Sequence, residues 1–149
     1  MSIPQDVALE LAARVSQITI ANGYATDVGL RVYRGRRRLT PEHLPCVVLI
    51  ERKTTPIEQS KGDAKVAAGF VLEGHSECDP DNPNDTGHAL EADIMQAVFT
   101  TPEFTYGSPP KKATYEYGGT EISPREDGQK HVQTAVDVTV SYVVRKAKP

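Results

Sequence analysis

Several groups of side chains in this sequence have types and spacings that could do chemistry. Glu51-Arg-Lys53 closes a hydrophobic run, and Asp27 stands at the start of the candidate strand before it. Side chains two apart on a strand share a face, which would set Glu51 beside Lys53. Asp27, Glu51 and Lys53 then have the makings of a restriction-like nuclease centre. Two carboxylates would hold Mg²⁺ and the lysine would steady a nucleophilic water, with Glu10 as a further acid. The plainer reading is a strand that leaves the core through charged residues. Cys46, His75, Cys78 and His88 are of zinc-ligand type, and His75-x-x-Cys78 has usable spacing. Cys46 sits inside an apolar run, however, and no second close pair exists, so a buried thiol and loop histidines account for the four without a metal. Asp79, Asp81 and Asp85 suggest part of a calcium loop, but the glycine and glutamate that such a loop needs are replaced by Asn84 and Leu90. These acids are read as capping and solvating a loop. There is no phosphate-binding glycine loop, no Gly-x-Ser-x-Gly elbow and no His-Glu-x-x-His, and Ser60 and Ser108 have no base nearby in sequence. No catalytic residue, metal or cofactor is assigned.

Charge is distributed unevenly. Arg31, Arg34, Arg36, Arg37 and Arg38 fall within eight residues, while Glu77 to Asp93 holds six acids and no Lys or Arg. A molecule with one basic and one acidic face suits head-to-tail association, and such contacts close into rings when the rotation allows. Two solvated loops would give the same pattern. Arg31, Arg34, Arg36, Arg37, Arg38, Asp79, Asp81 and Asp85 are therefore the candidate interface residues.

The elements that must position these residues follow from periodicity. Val7, Leu11, Val15 and Ile18 line one face of a helix expected from about Pro4 to Ala21, with Ser2 and Gln5 forming a cap and Asn22-Gly23 a stop. Val28, Leu30 and Val32 alternate with Gly29, Arg31 and Tyr33, which predicts a strand over 28–34. Cys46–Glu51 reads as a central strand, and Lys65–Glu77 as a strand with Val66, Ala68, Phe70 and Leu72 on its inner face. A second helix is expected over Gly87–Phe99, capped by Asp85 or Thr86, with Pro102 just beyond its end. A weak strand follows near Thr114–Tyr117. From Val132 to Arg145 alternation is unbroken, implying a strand about 45 Å long. Such a strand either projects to pair with another chain at an edge, or bends within one sheet. The order predicts an α+β fold: a mostly antiparallel sheet, with mixed pairing left open, of about five strands and two main helices packed on it.

Length and composition bound the class. The 149 residues, 16.3 kDa, fit one domain spanning 1–149. Hydrophobic residues are 38% and charged residues 25%, so one core is affordable and wholesale disorder is not expected. A net charge of −3 does not suit a general nucleic-acid binder. The longest apolar run, Ala67–Leu72, is far short of the roughly 20 residues that span a bilayer. Met1–Asp6 has an acid and no basic stretch, so no signal peptide is expected. Two cysteines, Cys46 and Cys78, suit free thiols in a reducing cytoplasm.

Two stretches carry a family resemblance: Asn22-Gly-Tyr-Ala-Thr-Asp-Val-Gly-Leu-Arg-Val-Tyr-Arg-Gly-Arg-Arg-Arg-Leu39 and Leu44-Pro-Cys-Val-Val-Leu-Ile-Glu51. They resemble the tail terminators of long-tailed bacteriophages, the minor tail protein U-like or tail completion group. The likeness is best over the first third of the chain, and the later order of strand, loop, helix and long alternating strand also fits. The resemblance implies a non-enzymatic virion protein with a sheet flanked by helices. It would form a homohexameric ring that caps the major tail tube protein, stops its polymerisation and joins the tail to the head connector or stopper. DNA would pass through the lumen without sequence-specific binding, and no membrane is involved. The implied location is the head-proximal end of the tail, after assembly in the bacterial cytoplasm. The alternatives are the Mg²⁺-dependent nuclease built on Asp27, Glu51 and Lys53, and another head–tail neck adaptor.

Overall fold

The computed structural model describes residues 2–35, 38–124 and 130–146. Its first element is helix α1, Ile3–Val15. Ser2 Oγ accepts from the Gln5 amide at 3.2 Å, which satisfies one orphan donor of the first turn. The buried face is Val7, Ala8, Leu11 and Val15. The helix ends well before Ala21. The Gln17 and Ile18 amides turn back to the Arg14 and Val15 carbonyls, tightening the last turn. Thr19 then caps a separate single 3-10 turn, Ile20–Asn22, closed by Gly23 at φ 91°. Ile18, in phase with the helix, is buried from this link and not from a helical turn.

The alternation over 28–34 yields a strand only at Val32–Arg34, β1. Val28–Leu30 is instead a single 3-10 turn. Gly29 lies hard against the end of α1, its amide donating to the Ile18 carbonyl at 2.8 Å. A Cβ there would fall 2.5 Å from the Val15 carbonyl oxygen. Leu30 is consequently turned outward, 63% exposed.

Strands β2 (Cys46–Gln59), β3 (Asp63–Glu77), β4 (Glu103–Tyr106), β5 (Lys111–Pro124) and β6 (His131–Arg145) complete a six-stranded sheet in the order β1-β2-β3-β6-β5-β4. β1 runs parallel to β2 and every other pairing is antiparallel. The fold is α+β with a mixed sheet. The long alternating strand is no edge: β6 pairs with β3 along its whole length and with β5 from Val132 to Ser141. The irregularities fall on other strands, at Tyr117/Gly119 of its neighbour β5 and at Glu51/Thr54 and Pro56/Glu58 of β2, beyond β3.

Helix α2, Pro83–Phe99, starts earlier than the expected Gly87, with Asn82 and not Asp85 or Thr86 at its N-cap. Both helices cover one face of the sheet. Val7, Leu11 and Val15 of α1, and Leu90, Ile94 and Val98 of α2, meet Val47 and Leu49, Phe70 and Leu72, and Val136 to Val140 in one core. Each fully buried aliphatic side chain contributes about 1.5–3 kcal/mol by leaving water. α2 lies close on the sheet, where Thr134 Oγ1 donates to the Gly87 carbonyl at 2.9 Å. The Arg14 guanidinium closes the far end of α2. It donates to the carbonyls of Val98 (2.8 Å), Thr101 and Glu103 (3.1 Å), while lying over the Tyr115 ring at 4.5 Å. A cation at a helix C-terminus also meets the negative end of the helix dipole.

The sheet forks at one end. After the Thr114–Ser141 pair, β5 leaves β6 and pairs with β4 instead. The Tyr106 hydroxyl fills the gap, accepting from the Val143 amide at 2.7 Å and donating to the Val143 carbonyl at 3.2 Å. On the face away from the helices, Cys46, Val48, Val71 and His75 are nevertheless buried. The β1–β2 connection lies on that side: its single 3-10 turn, Pro41–His43, sets the His43 ring against Tyr33. No helix among the described residues is long and apolar enough to cross a membrane.

Candidate interaction surface

Of the candidate arginines, Arg31 and Arg34 sit at the β1 edge of the sheet. Arg31 is exposed, and its Nη1 lies 3.4 Å from the carbonyls of both Leu44 and Pro45, strapping the entry to β2. Arg34 Nη2 is 3.5 Å from Glu51 Oε2, in a pair whose side chains are 36% and 52% exposed. Such surface pairs are worth about 0–1 kcal/mol. Arg38 is exposed, while Arg36 and Arg37 lie outside the described residues. The acids Asp79, Asp81 and Asp85 are all exposed. Asp79 Oδ1 accepts from the Asp81 amide at 3.0 Å, and Asp85 lies in the first turn of α2, where a negative charge complements the dipole.

The nuclease set is divided among separate structural tasks. Asp27 does not begin a strand: its Oδ1 accepts from the Ile20 amide at 2.8 Å and holds the turn after α1. Glu10 pairs with Arg14 at 3.3 Å along α1. Glu51 faces Phe70 and Thr54 faces Ala68, so Arg52 and Lys53 together oppose Gly69. This bulge breaks the period-two relation that put Glu51 and Lys53 on one face. The zinc set is equally scattered. Cys46 and His75 are cross-strand neighbours and Cys78 is buried, but the His88 side chain is 67% exposed on α2. Among the described residues no group of three or more His, Cys, Asp or Glu side chains could hold a metal ion, Asp79, Asp81 and Asp85 included.

Two features escape the sequence patterns. One is the outer half of β2, here called its arm. β1 pairs with Val47–Leu49, so among the described residues β2 pairs from Glu51 to Gln59 with β3 alone, and every residue of that span is exposed. Ile57, 52% exposed, is the one large apolar side chain on it. The arm's edge carries Lys53, Pro56 and two register shifts, features that discourage another strand from adding to it. The other feature is a polar chain. His75 Nε2 lies 3.1 Å from Glu73 Oε1, and His75 Nδ1 lies 2.9 Å from His131 Nε2. Burial lowers the proton affinity of His75 below the ordinary histidine value, with Glu73 partly offsetting it. The alternation in β3 put Glu73 and His75 on one face, but only the β3–β6 register brings His131 to them.

Tyrosines mark the helix-side interior. Burial pushes the Tyr115 hydroxyl well up, against the pull of Arg14, and burial with Glu51 and Tyr106 nearby raises Tyr142. Compared with known proteins, the chain matches no family model and no curated protein sequence.

Proposed function

We propose that this chain is a structural subunit that works by fitting its surfaces against copies of itself and against the end of a cylindrical assembly. The reading is specific: a bacteriophage tail terminator, forming a homohexameric ring on the head-proximal end of the tail tube. The ring stops the major tail tube protein from adding further and offers a surface to the head connector or stopper. DNA passes through its lumen, no bond is made or broken, and assembly takes place in the bacterial cytoplasm.

The observation that carries this is the β2 arm. It continues directly from the Leu44–Glu51 stretch that resembles tail terminators, and over Glu51–Gln59 it lines the edge of the sheet beside β3 with nine consecutive exposed residues. A terminator has to accept one partner surface and refuse a further copy of the tube subunit, which requires built-in rejection as well as attraction. An arm whose edge is guarded by proline, lysine and bulges meets that requirement: it offers side chains to a neighbour and a poor template to an incoming strand. The exposed arginines and acids supply complementary charge.

The test is electron microscopy of tails assembled with and without this chain. Tails of uniform length that join heads only when the chain is present are the expected result. Normal, head-joined tails in its absence would overturn the reading. The nuclease alternative is tested by incubating the protein with DNA and Mg²⁺; cleavage that Glu51→Ala abolishes would replace the structural reading.

A further inference from the structure

The large apolar side chain on the β2 arm sits at an irregularity of the ladder. Pro56 faces Val66 and Glu58 faces Lys65, so Ile57 is the extra residue of a bulge. A bulge gives up one ladder pair and re-aims the side chain it carries. Ile57 is 52% exposed, so most of its aliphatic surface is left in water by this fold, and covering it would be favourable. Glu58 follows it in the strand, and Lys65 stands opposite Glu58 on β3. All three are exposed. The arm therefore presents an apolar knob flanked by one negative and one positive charge.

A matching hollow lies at the other end of β3. A cavity of about 320 Å³ opens between the β1–β2 connection and the ends of β3 and β6. Leu39, Pro41 and Leu44 supply apolar lining, while Glu77 and Lys130 bring one negative and one positive charge to it. Leu39 and Pro41 are exposed and Leu44 is half-buried, so the chain leaves this apolar lining wet. The volume is ample for one branched aliphatic side chain. Lys65 and Glu77 are twelve positions apart on β3, about 40 Å of extended strand, and β3 is paired with β6 over all of that span. The ladder thus keeps the knob of one copy away from its own hollow and leaves both open to other copies.

We propose that Ile57 of one copy seats in the cavity lined by Leu39, Pro41 and Leu44 of the next, with Glu58 meeting Lys130 and Lys65 meeting Glu77 across the contact. This rests on the ring reading given above and names the copy-to-copy contact within it. Knob and hollow occupy different ends of one chain, so the contact is heterologous: every copy gives one and receives one, and the series closes where the rotation allows. The occupant is a second copy because the two surfaces match in shape, in apolar character and in the sign of their flanking charges. Side chains make the contact, in keeping with an edge guarded against the addition of a strand.

The test is analytical ultracentrifugation of the full chain over a concentration series. The parent should associate, and Ile57→Asp should raise the concentration needed by about tenfold or more, as for a central apolar anchor, with an unchanged unfolding midpoint. Ile57→Leu should associate as the parent does. Direction is read by cross-linking with a short bis-maleimide, for which the native thiols Cys46 and Cys78 are buried. A mixture of Ile57→Cys and Leu39→Cys chains should give a cross-linked dimer, and neither preparation alone should. This arm decides the matter even if Ile57→Asp fails to fold. A parent that stays monomeric, association indifferent to Ile57→Asp, no dimer in the mixture, or a dimer from either preparation alone would each overturn the contact. The ring reading is judged separately by the tails: uniform tails that need the chain, alongside association indifferent to Ile57→Asp, would remove this contact and leave the ring.

Discussion

Asp93 joins α2 to the turn that follows α1. It is 3% exposed, and its carboxylate accepts from the Ala25 amide (3.1 Å), the Thr26 amide (2.8 Å) and the Thr26 hydroxyl (2.7 Å). Removing it strands two backbone donors in a half-closed site. Asp93→Ala should cost about 2–4 kcal/mol, read in chemical denaturation as a lower midpoint with an unchanged slope, and Asp93→Asn should recover part of the loss because it keeps one acceptor. In the sequence Asp93 is one acid among the six between Glu77 and Asp93. Nothing in its neighbours separates a buried anchor from a solvated charge, because the donors it meets lie 67 and 68 residues away in the chain. His131 was hidden for the same reason, as its partner His75 is 56 residues distant. Arg31, Arg34, Asp79 and Asp85, by contrast, stand exposed as their charged runs imply.

Elements were legible where one face is buried and the other wet. β3 and β6 show this best: Val66 to Leu72 and Val132 to Tyr142 alternate and are buried on one parity. The outer half of β2 could not be read, since Thr54 to Gln59 are exposed on both faces and leave no period-two signal. β5 fared little better, because its bulge at Tyr117/Gly119 shifts the parity midway. Alternation also says which face a residue takes but not which strand lies beside it, so the central place of β6 was open. The turn at Val28–Leu30 was misread because Val28, Leu30 and Val32 alternate as a strand would, while close backbone contact at Gly29 decides the conformation. Gly29→Ala should therefore be costly: its Cβ would meet the Val15 carbonyl at 2.5 Å and the Ile18 amide nitrogen and carbonyl oxygen at 2.7 Å. A loss above about 3 kcal/mol is expected in denaturant unfolding, and a loss under about 1 kcal/mol would mean the turn yields freely.

At the scale of the whole molecule the polarised charge is the testable property. Replacing Arg36, Arg37 and Arg38 by Glu reverses the basic run of the sequence. Under the proposed function these side chains serve a contact and not the fold, so the unfolding midpoint of the triple variant should stay within a few degrees of the parent. Its attachment to tail tubes should be lost, as seen by co-sedimentation, because reversing charges at an interface rejects the former partner. Full attachment by the variant would remove these arginines from the contact.

The Tyr106 phenol has a mechanical consequence. Where the sheet divides, it stands in for a strand at Val143 and ties the rim made by β4 and the first residues of β5 to the central ladder, while Arg14 holds the start of β4 through the Glu103 carbonyl. Without that phenol the Val143 amide and carbonyl would lose the partner that stands where β5 has turned away, so the fork itself depends on one hydroxyl.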